Sequence, residues 1–201
     1  MTHALILVDL QHDFLPGGAL AVPDGDAVLG PAVRALHSEE YDLVVATKDW
    51  HPVGHKSFAS AHEGGVVGSM VDLNGVQQVL WPDHCVEGTR GAELHPAVAM
   101  EKVDAVFQKG TRLEVDSYSG FFDNGRRHDT GLSAWLKQRH VTQVTVLGLA
   151  TDYCVKWTAL DARAEGFAVR LLTEASRGVN LRPGDVDAAL VELRAAGVEV
   201  V

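Results

Sequence analysis

The hydrophobic positions of the chain form short continuous runs that alternate with stretches of helical periodicity. Six runs are apolar without a polar alternation and predict strands: 4–8, 43–47, 103–107, 141–147, 168–172 and 198–201. Four stretches repeat their apolar residues as one face of a helix does: 27–36, 132–139, 153–165 and 183–196. Strands of this kind are typical of a sheet that is covered on both faces. The pattern therefore predicts an α/β fold, a three-layer α/β/α arrangement around a mostly parallel, about six-stranded Rossmann-like sheet.

Two long segments, 52–101 and 110–129, lack sustained periodicity and are rich in Gly, Ser, His and Pro. We expect them to be loops, with a short helix near 91–100. Loops of this length inside a compact domain are usually functional. Because no repeat or linker divides the chain, residues 1–201 are expected to form a single domain.

Composition narrows the class of protein. The chain has 201 residues, 46% of them hydrophobic, which excludes a disordered chain. No apolar run approaches the roughly 20 residues of a membrane span. The formal net charge of -10, without any basic cluster, argues against nucleic acid and anionic membranes as partners. Two cysteines are too few for a disulfide framework, so we expect a cytoplasmic protein.

Four predicted strands are each followed by a polar, reactive residue: Asp9, Asp49, Lys109 and Cys154. In a parallel sheet these positions lie at the same edge, where ligands bind. A thiol beside a base and a cation is an arrangement for nucleophilic catalysis. The alternatives are an ordinary ion pair between Asp9 and Lys109, and a buried, inert Cys154.

Cys154 is predicted to lie in the first turn of a helix, with Thr151 or Asp152 as the N-cap. Amide groups at a helix N-terminus lower the pKa of a thiol, and a nearby ammonium group lowers it further. The same amide groups can bind the oxyanion that forms when a carbonyl is attacked.

Asp49 and His51 are two residues apart, so on an extended backbone their side chains share a face. His55 follows, and His84 lies in the segment WPDHCV. A carboxylate with two or three imidazoles suits zinc, iron or manganese. Spacing alone leaves open whether these residues converge, and whether Cys85 is a rival ligand or a buried neighbour.

Five aromatic residues accompany these clusters and could wall a pocket for a flat ring: Phe14, Trp50, Trp81, Tyr118 and Phe121. Each of them could equally be a core residue or a loop anchor. The segment PGG at 16–18 is expected to be a turn, since no helix follows it as in a phosphate-binding loop.

Taken together, the motifs resemble the nicotinamidase/pyrazinamidase family of isochorismatase-like cysteine hydrolases. The resemblance covers nearly the whole chain and rests on seven segments in the family's order: DLQHDF at 9–14, DWHP at 49–52, SFA at 57–59, WPDHCV at 81–86, KG at 109–110, YSGF at 118–121 and ATDYCV at 150–155. Asp9 and Lys109 are shared by the wider superfamily. The metal motif indicates nicotinamidase in particular.

The resemblance implies an amidohydrolase that converts nicotinamide, and also pyrazinamide, to the acid and ammonia through a cysteine thioester, in NAD salvage. It implies that Cys154 is the nucleophile, Asp9 the general base and acid, and Lys109 the charge partner of the thiolate. The backbone amides of Ala150 and Cys154 would form the oxyanion hole, with a cis peptide between Leu149 and Ala150.

The resemblance further implies one divalent metal ion, with zinc as the first expectation and iron or manganese as alternatives. Its ligands would be Asp49, His51 and His84, with His55 as a candidate fourth ligand. The ring pocket would be lined by Phe14, Trp81 and Tyr118. Nicotinamide is the expected small-molecule partner, and a homo-oligomer is a hypothesis.

Three alternatives remain open at this point. The first is another amidohydrolase of the superfamily that acts on a carbamoyl or ureido substrate. The second is a non-catalytic sensor of metal or pyridine compounds, which would have no need for Asp9, Lys109 and Cys154 together. The third is a thiol redox protein that uses Cys85 and Cys154, although their spacing is not a C-x-x-C motif.

Overall fold

The computed structural model describes residues 2–201. Its strands are β1 (Thr2–Val8), β2 (Leu43–Asp49), β3 (Met70–Leu73), β4 (Val76–Val79), β5 (Ala105–Lys109), β6 (Val141–Leu149), β7 (Ala168–Arg177) and β8 (Glu199–Val200). Its α-helices are α1 (Leu29–Leu36), α2 (Leu132–Gln138), α3 (Lys156–Ala164) and α4 (Asp185–Ala195). None of the helices within residues 2–201 has the length and apolar character that a membrane crossing needs.

Six strands form one sheet in the order β5-β2-β1-β6-β7-β8, and every neighbouring pair is parallel. The predicted fold class is therefore confirmed. The first strand of the chain lies in the interior of the sheet, between β2 and β6. The carboxyl ends of β1, β2, β5 and β6 consequently lie side by side along one edge.

The core lies on both faces of this sheet. Along β1, Ile6 and Val8 point to the face that is covered by α2, α3 and α4, and Leu5 and Leu7 point to the face covered by α1. All four side chains are essentially inaccessible to solvent. Burial of each such side chain stabilises the fold by about 1.5–3 kcal/mol, and this explains why β1 has no polar alternation.

The predicted helix 153–165 has an irregular start. Residues Thr151–Val155 form a single π-helical turn, and the regular helix α3 begins at Lys156. In this turn the N–H of Val155 donates to the carbonyl of Ala150 at 3.0 Å, which is a five-residue span. Such turns occur often at functional sites, and this one contains Cys154.

The segment 52–101, predicted to be a loop, contains an antiparallel hairpin, β3–β4. Its turn is Asn74-Gly75, and both residues have positive φ, 56° and 84°. Because Asn-Gly is the strongest short-range signal for a hairpin, the sequence itself indicates this turn. The helix expected near 91–100 is absent from the described chain; isolated 3₁₀ turns at Arg90–Ala92 and Met100–Lys102 stand there instead.

The third predicted strand, 103–107, begins two residues before the observed one. Strand β5 runs from Ala105 to Lys109, so Lys109 is its last residue. Asp49 likewise ends β2, and the two residues are register partners. Their side chains consequently start from adjacent backbone positions.

Candidate active site

Lys109 brings the strand-end residues together. Its Nζ lies 2.8 Å from Asp9 Oδ2, 2.5 Å from Asp49 Oδ1 and 3.4 Å from Cys154 Sγ. It also donates to the carbonyl of Ser117 at 3.0 Å. The four residues singled out in the sequence are therefore in one buried cluster at the edge of the sheet.

Asp9 has an environment suited to proton transfer. It is fully buried and has a φ of 50°, and Thr47 Oγ1 donates to its Oδ1 at 2.7 Å. Burial and the nearby Asp49 raise the pKa of Asp9 to about 6, although Lys109 and Thr47 oppose the rise. Its Oδ2 faces Lys109 as an ion pair but accepts no aligned hydrogen bond. A carboxyl group with a pKa near neutrality can both accept and return a proton.

Lys109 remains a cation in this site. Burial opposes its charge, but Asp49 and Asp9, with a smaller contribution from Cys154, hold its pKa well above the usual value. Lys109 therefore supplies a fixed positive charge and cannot serve as the base at neutral pH.

The pKa of the Cys154 thiol is raised, whereas the sequence predicts that it is lowered. Burial raises its pKa well above the ordinary value, and the charges of Asp9 and Asp49 add to that rise. Lys109 lowers the pKa, as expected, but does not outweigh these effects. The thiol is thus neutral at rest and needs a base, and an oxygen of Asp9 lies within 4.8 Å of its sulfur.

The expected cis peptide between Leu149 and Ala150 is present. Ala150 directly precedes the π-helical turn, and its carbonyl accepts the N–H groups of Tyr153 and Val155, both at 3.0 Å. Ala150 and Cys154 line the same pocket. The oxyanion hole at their amide groups stays a prediction.

Neither Thr151 nor Asp152 caps the helix with its side chain, so that expectation was wrong. Instead the buried carboxylate of Asp152 accepts the backbone N–H groups of Val179 and Asn180, at 2.9 and 2.8 Å. This contact ties the segment after β7 to the turn that contains Cys154. Val179 thereby becomes part of the pocket wall.

The expected metal ligands converge. Asp49 Oδ2 lies 3.8 Å from His51 Nε2 and 3.9 Å from His84 Nε2. All three side chains are buried. Asp49 therefore faces the histidines with one oxygen and Lys109 with the other.

The chemistry of these side chains fits a divalent metal ion. The Nδ1 of His51 donates to the carbonyl of Gly110 at 2.9 Å, and the Nδ1 of His84 donates to the carbonyl of Pro82 at 2.8 Å. Both rings therefore direct a lone pair on Nε2 toward Asp49, and Nε2 of His51 has no hydrogen-bond partner within residues 2–201. Burial lowers the pKa of each ring to about 4, so both are neutral and able to bind a metal ion near pH 7.

His55 lies on the other side of His51, where it forms a second group of possible ligands with His51 and Asp116. Its ring lies 4.4 Å from that of His51, centroid to centroid. Its Nδ1 accepts from the Ser57 backbone at 3.2 Å and contacts Ser57 Oγ at 2.7 Å, while its Nε2 faces the carbonyl of Val115. Both ring nitrogens thus already have contacts within the protein, and His55 as a fourth ligand stays a prediction.

The pocket in front of the thiol is lined by the three expected aromatic residues, Phe14, Trp81 and Tyr118. Asp49, His84 and Cys154 line the same space. Trp50 and Phe121 do not: Phe121 packs in the core, and Trp50 lies under the ammonium group of Lys48. A flat ring in this pocket would therefore contact aromatic walls, two of the expected metal ligands, Asp49 and His84, and the thiol.

Sequence reasoning missed two buried polar residues beside this pocket. Asp116 lines it, and its Oδ1 lies 4.0 Å from His51 Nε2. Gln78, on strand β4, donates to Asp116 Oδ2 at 3.2 Å. Both fall within the two segments predicted to be loops, and no local motif marks them.

Cys85 is next to the expected ligand His84 in sequence, but it belongs to none of the candidate metal groups among the described residues. Its sulfur is buried and lies 3.9 Å from the carbonyl of Gly91, while its N–H donates to Asp13 Oδ2 at 2.7 Å. Both cysteines are free. Cys85 therefore helps to hold the loop that presents His84.

Comparison with known proteins agrees with the family resemblance of the sequence motifs. Residues 3–201 match the sequence profile of the Isochorismatase domain family. The nicotinamidase of Escherichia coli (strain K12) is 49% identical over 196 residues, which cover 96% of this chain and 92% of that protein.

Solved structures agree with this match. A nicotinamidase/pyrazinamidase from Acinetobacter baumanii superposes with a TM-score of 0.95 at 38% identity, over 100% of this chain and 95% of that one. The pyrazinamidase of Pyrococcus horikoshii, solved in complex with zinc, superposes with a TM-score of 0.79 at 37% identity, over 100% and 99% of the two chains. The chain belongs to the nicotinamidase/pyrazinamidase family of isochorismatase domain proteins.

Proposed function

We propose that the protein is a nicotinamidase, an amidohydrolase that converts nicotinamide to nicotinate and ammonia in NAD salvage, and that it also accepts pyrazinamide. The observation that carries this proposal is the position of Lys109 Nζ between Asp9, Asp49 and Cys154 Sγ. The thiol with its base and its cation faces an aromatic pocket that also contains metal ligands.

In the first half of the reaction, Cys154 is the nucleophile and Asp9 the general base. Asp9 takes the thiol proton as the sulfur forms a bond to the carboxamide carbon. Lys109 remains cationic and offsets the charge that arises on the sulfur. The oxyanion is bound by the backbone N–H groups of Ala150 and Cys154, an interaction that is stronger in the transition state than in the bound substrate.

In the second half, Asp9 returns the proton. The tetrahedral intermediate breaks its carbon–nitrogen bond, and Asp9 protonates the nitrogen so that ammonia leaves instead of an amide anion. Water then attacks the thioester, with Asp9 as its base. Nicotinate is released, and the sulfur of Cys154 recovers its proton from Asp9.

Asp49, His51 and His84 would hold the metal ion, and we propose zinc, with iron or manganese as alternatives. When bound, it supplies a Lewis acid that can hold the ring nitrogen of the substrate and so orient the carboxamide. The walls formed by Phe14 and Tyr118 would exclude water from the ring.

The proposal extends to the organisation and location of the protein. We propose a single domain over 1–201, because the two core clusters share one sheet; residue 1 lies outside the described residues. Two free, buried thiols suit a reducing compartment, and we propose the cytoplasm. The homo-oligomer and the absence of nucleic acid and membrane partners stay predictions; light scattering tests the first.

Ammonia release by the purified protein tests the proposed function. Nicotinamide, pyrazinamide, a ureido compound and an acyclic amide are compared, with elemental analysis and with a parallel chelator-treated sample. We expect release from the two ring amides and a strong loss after metal removal. Release from the ureido compound alone would replace this function with another amidohydrolase activity, and release from none of them would favour a sensor.

A further inference from the structure

Gln78 is a buried polar residue on an otherwise exposed hairpin. Its side chain is 1% exposed, while its neighbour Gln77 faces solvent. A buried amide group is costly unless it is hydrogen-bonded. Gln78 meets this need because its Nε2 group donates to Tyr118 Oη at 2.9 Å and to Asp116 Oδ2 at 3.2 Å, and also to the carbonyl of its neighbour Val79 at 2.8 Å, so two hydrogens are shared among three acceptors. Its Oε1 accepts from Asn124 Nδ2 at 3.0 Å.

The first of these contacts reaches the ring pocket. Tyr118 Oη also accepts the indole N–H of Trp81 at 3.2 Å, so two walls of the pocket are joined at this oxygen. The backbone N–H of Tyr118 donates to Asn124 Oδ1 at 2.9 Å. Gln78 and Asn124 thus hold Tyr118 at both its backbone and its phenol end.

The second contact reaches the metal cluster. Asp116 Oδ2 accepts from Gln78, while Asp116 Oδ1 lies 4.0 Å from His51 Nε2. One amide group therefore touches both a pocket wall and a carboxylate beside a metal ligand. Gln78 does not line the pocket itself, so any effect on the substrate must pass through these partners.

We propose that Gln78 is a positioning residue that sets the width of the ring pocket by holding Tyr118 against Trp81. This proposal rests on the proposed function, since the ring is that of the amide substrate. Gln78 touches neither the thiol nor the expected metal ligands, so its contribution lies in substrate affinity and ring-size preference and not in the chemical step.

Substitution of Gln78 by leucine tests this role. Gln78→Leu keeps much of the side-chain volume and removes the amide group, so KM for nicotinamide should rise about tenfold while kcat stays within about threefold. The preference for nicotinamide over a two-ring amide such as quinoline-3-carboxamide should fall as the wall loosens. Metal content should be unchanged, and the control Gln77→Leu should match the wild type.

A second variant shows whether Gln78 acts through Tyr118. Tyr118→Phe removes only the phenol oxygen and should raise KM for nicotinamide by itself. In the double variant the rise should be no larger than the greater single rise, because both changes break the same contact. Multiplying effects in the double variant would overturn the proposal.

The experiments distinguish failure of the role of Gln78 from failure of the proposed function. If Gln78→Leu does not fold, Tyr118→Phe decides alone, and a wild-type KM in that variant overturns the proposal. An active wild type with an unchanged KM in Gln78→Leu overturns the role of Gln78 and leaves the proposed function standing. A wild type that releases no ammonia from nicotinamide overturns both.

Discussion

Asp49 and Lys109 are joined by a contact of 2.5 Å between Oδ1 and Nζ, while the other oxygen of Asp49 faces the ring nitrogens of His51 and His84. One carboxylate therefore belongs to both the metal site and the charge network of the thiol. Changes at Asp49 and changes at a histidine ligand should consequently have different effects on Cys154.

Asp49→Asn and His84→Ala should both lose metal, but only the first should change the thiol. The charge of Asp49 raises the pKa of Cys154, so its removal should lower that pKa and speed alkylation of Cys154 by iodoacetamide. The rate is measured by peptide mass spectrometry on chelator-treated samples. In His84→Ala it should stay near the wild-type value; equal rates in the two variants would contradict the shared role of Asp49.

The rate of hydrolysis should fall in mild acid. Burial, with the charge of Asp49, raises the pKa of Asp9 to about 6, against the opposing effect of Lys109. Only ionised Asp9 can accept the thiol proton, so kcat/KM should decrease about tenfold for each pH unit below 6. Metal content is measured at each pH to separate loss of the ion from protonation of Asp9. A flat profile between pH 7 and 5, with metal retained, would remove Asp9 as the base.

Gly110 should be needed for metal binding although it is not a ligand. Its carbonyl orients the His51 ring, and a Cβ at Gly110 would lie 2.3 Å from His51 Cε1. Gly110→Ala should therefore displace the ring and lower the metal content found by elemental analysis.

Gly64→Ala is the matched control for this variant. Gly64 has a φ of +68° against +62° for Gly110, but a Cβ at Gly64 would have no other atom within 4 Å. Both variants should lose about 1–2 kcal/mol of stability from the left-handed backbone. Only Gly110→Ala should lose metal, and equal metal contents would refute the orienting role of Gly110.

The buried cluster around Lys109 was largely predictable because it depends on local signals. Each continuous apolar run predicts a strand, and the residue after it must lie at the common edge of a parallel sheet. Strand ends therefore place Asp9, Asp49 and Lys109 together, and Cys154 follows in the turn directly after β6. The convergence of His84 with Asp49 needed the family resemblance, since a long segment separates them and spacing carries no information on its path.

The features that the sequence did not predict depend mostly on contacts between distant segments. The hairpin that carries Gln78 is the exception, because its Asn74-Gly75 turn is a local signal within a predicted loop segment. No sequence motif marks Asp116, because its position beside His51 is defined only by the folded chain. The raised pKa of Cys154 also depends on burial, which outweighs the opposing effect of Lys109.

Ammonia release from nicotinamide by Cys154→Ala, compared with the wild type at equal metal content, decides whether Cys154 is the nucleophile of an amidohydrolase. Cys154 Sγ lies 3.4 Å from Lys109 Nζ, and Cys154 is the one thiol among the residues that line the pocket. We predict a fall of at least about 10³-fold in rate with the metal retained. Turnover at the wild-type rate would show that the reaction does not pass through a thioester at Cys154.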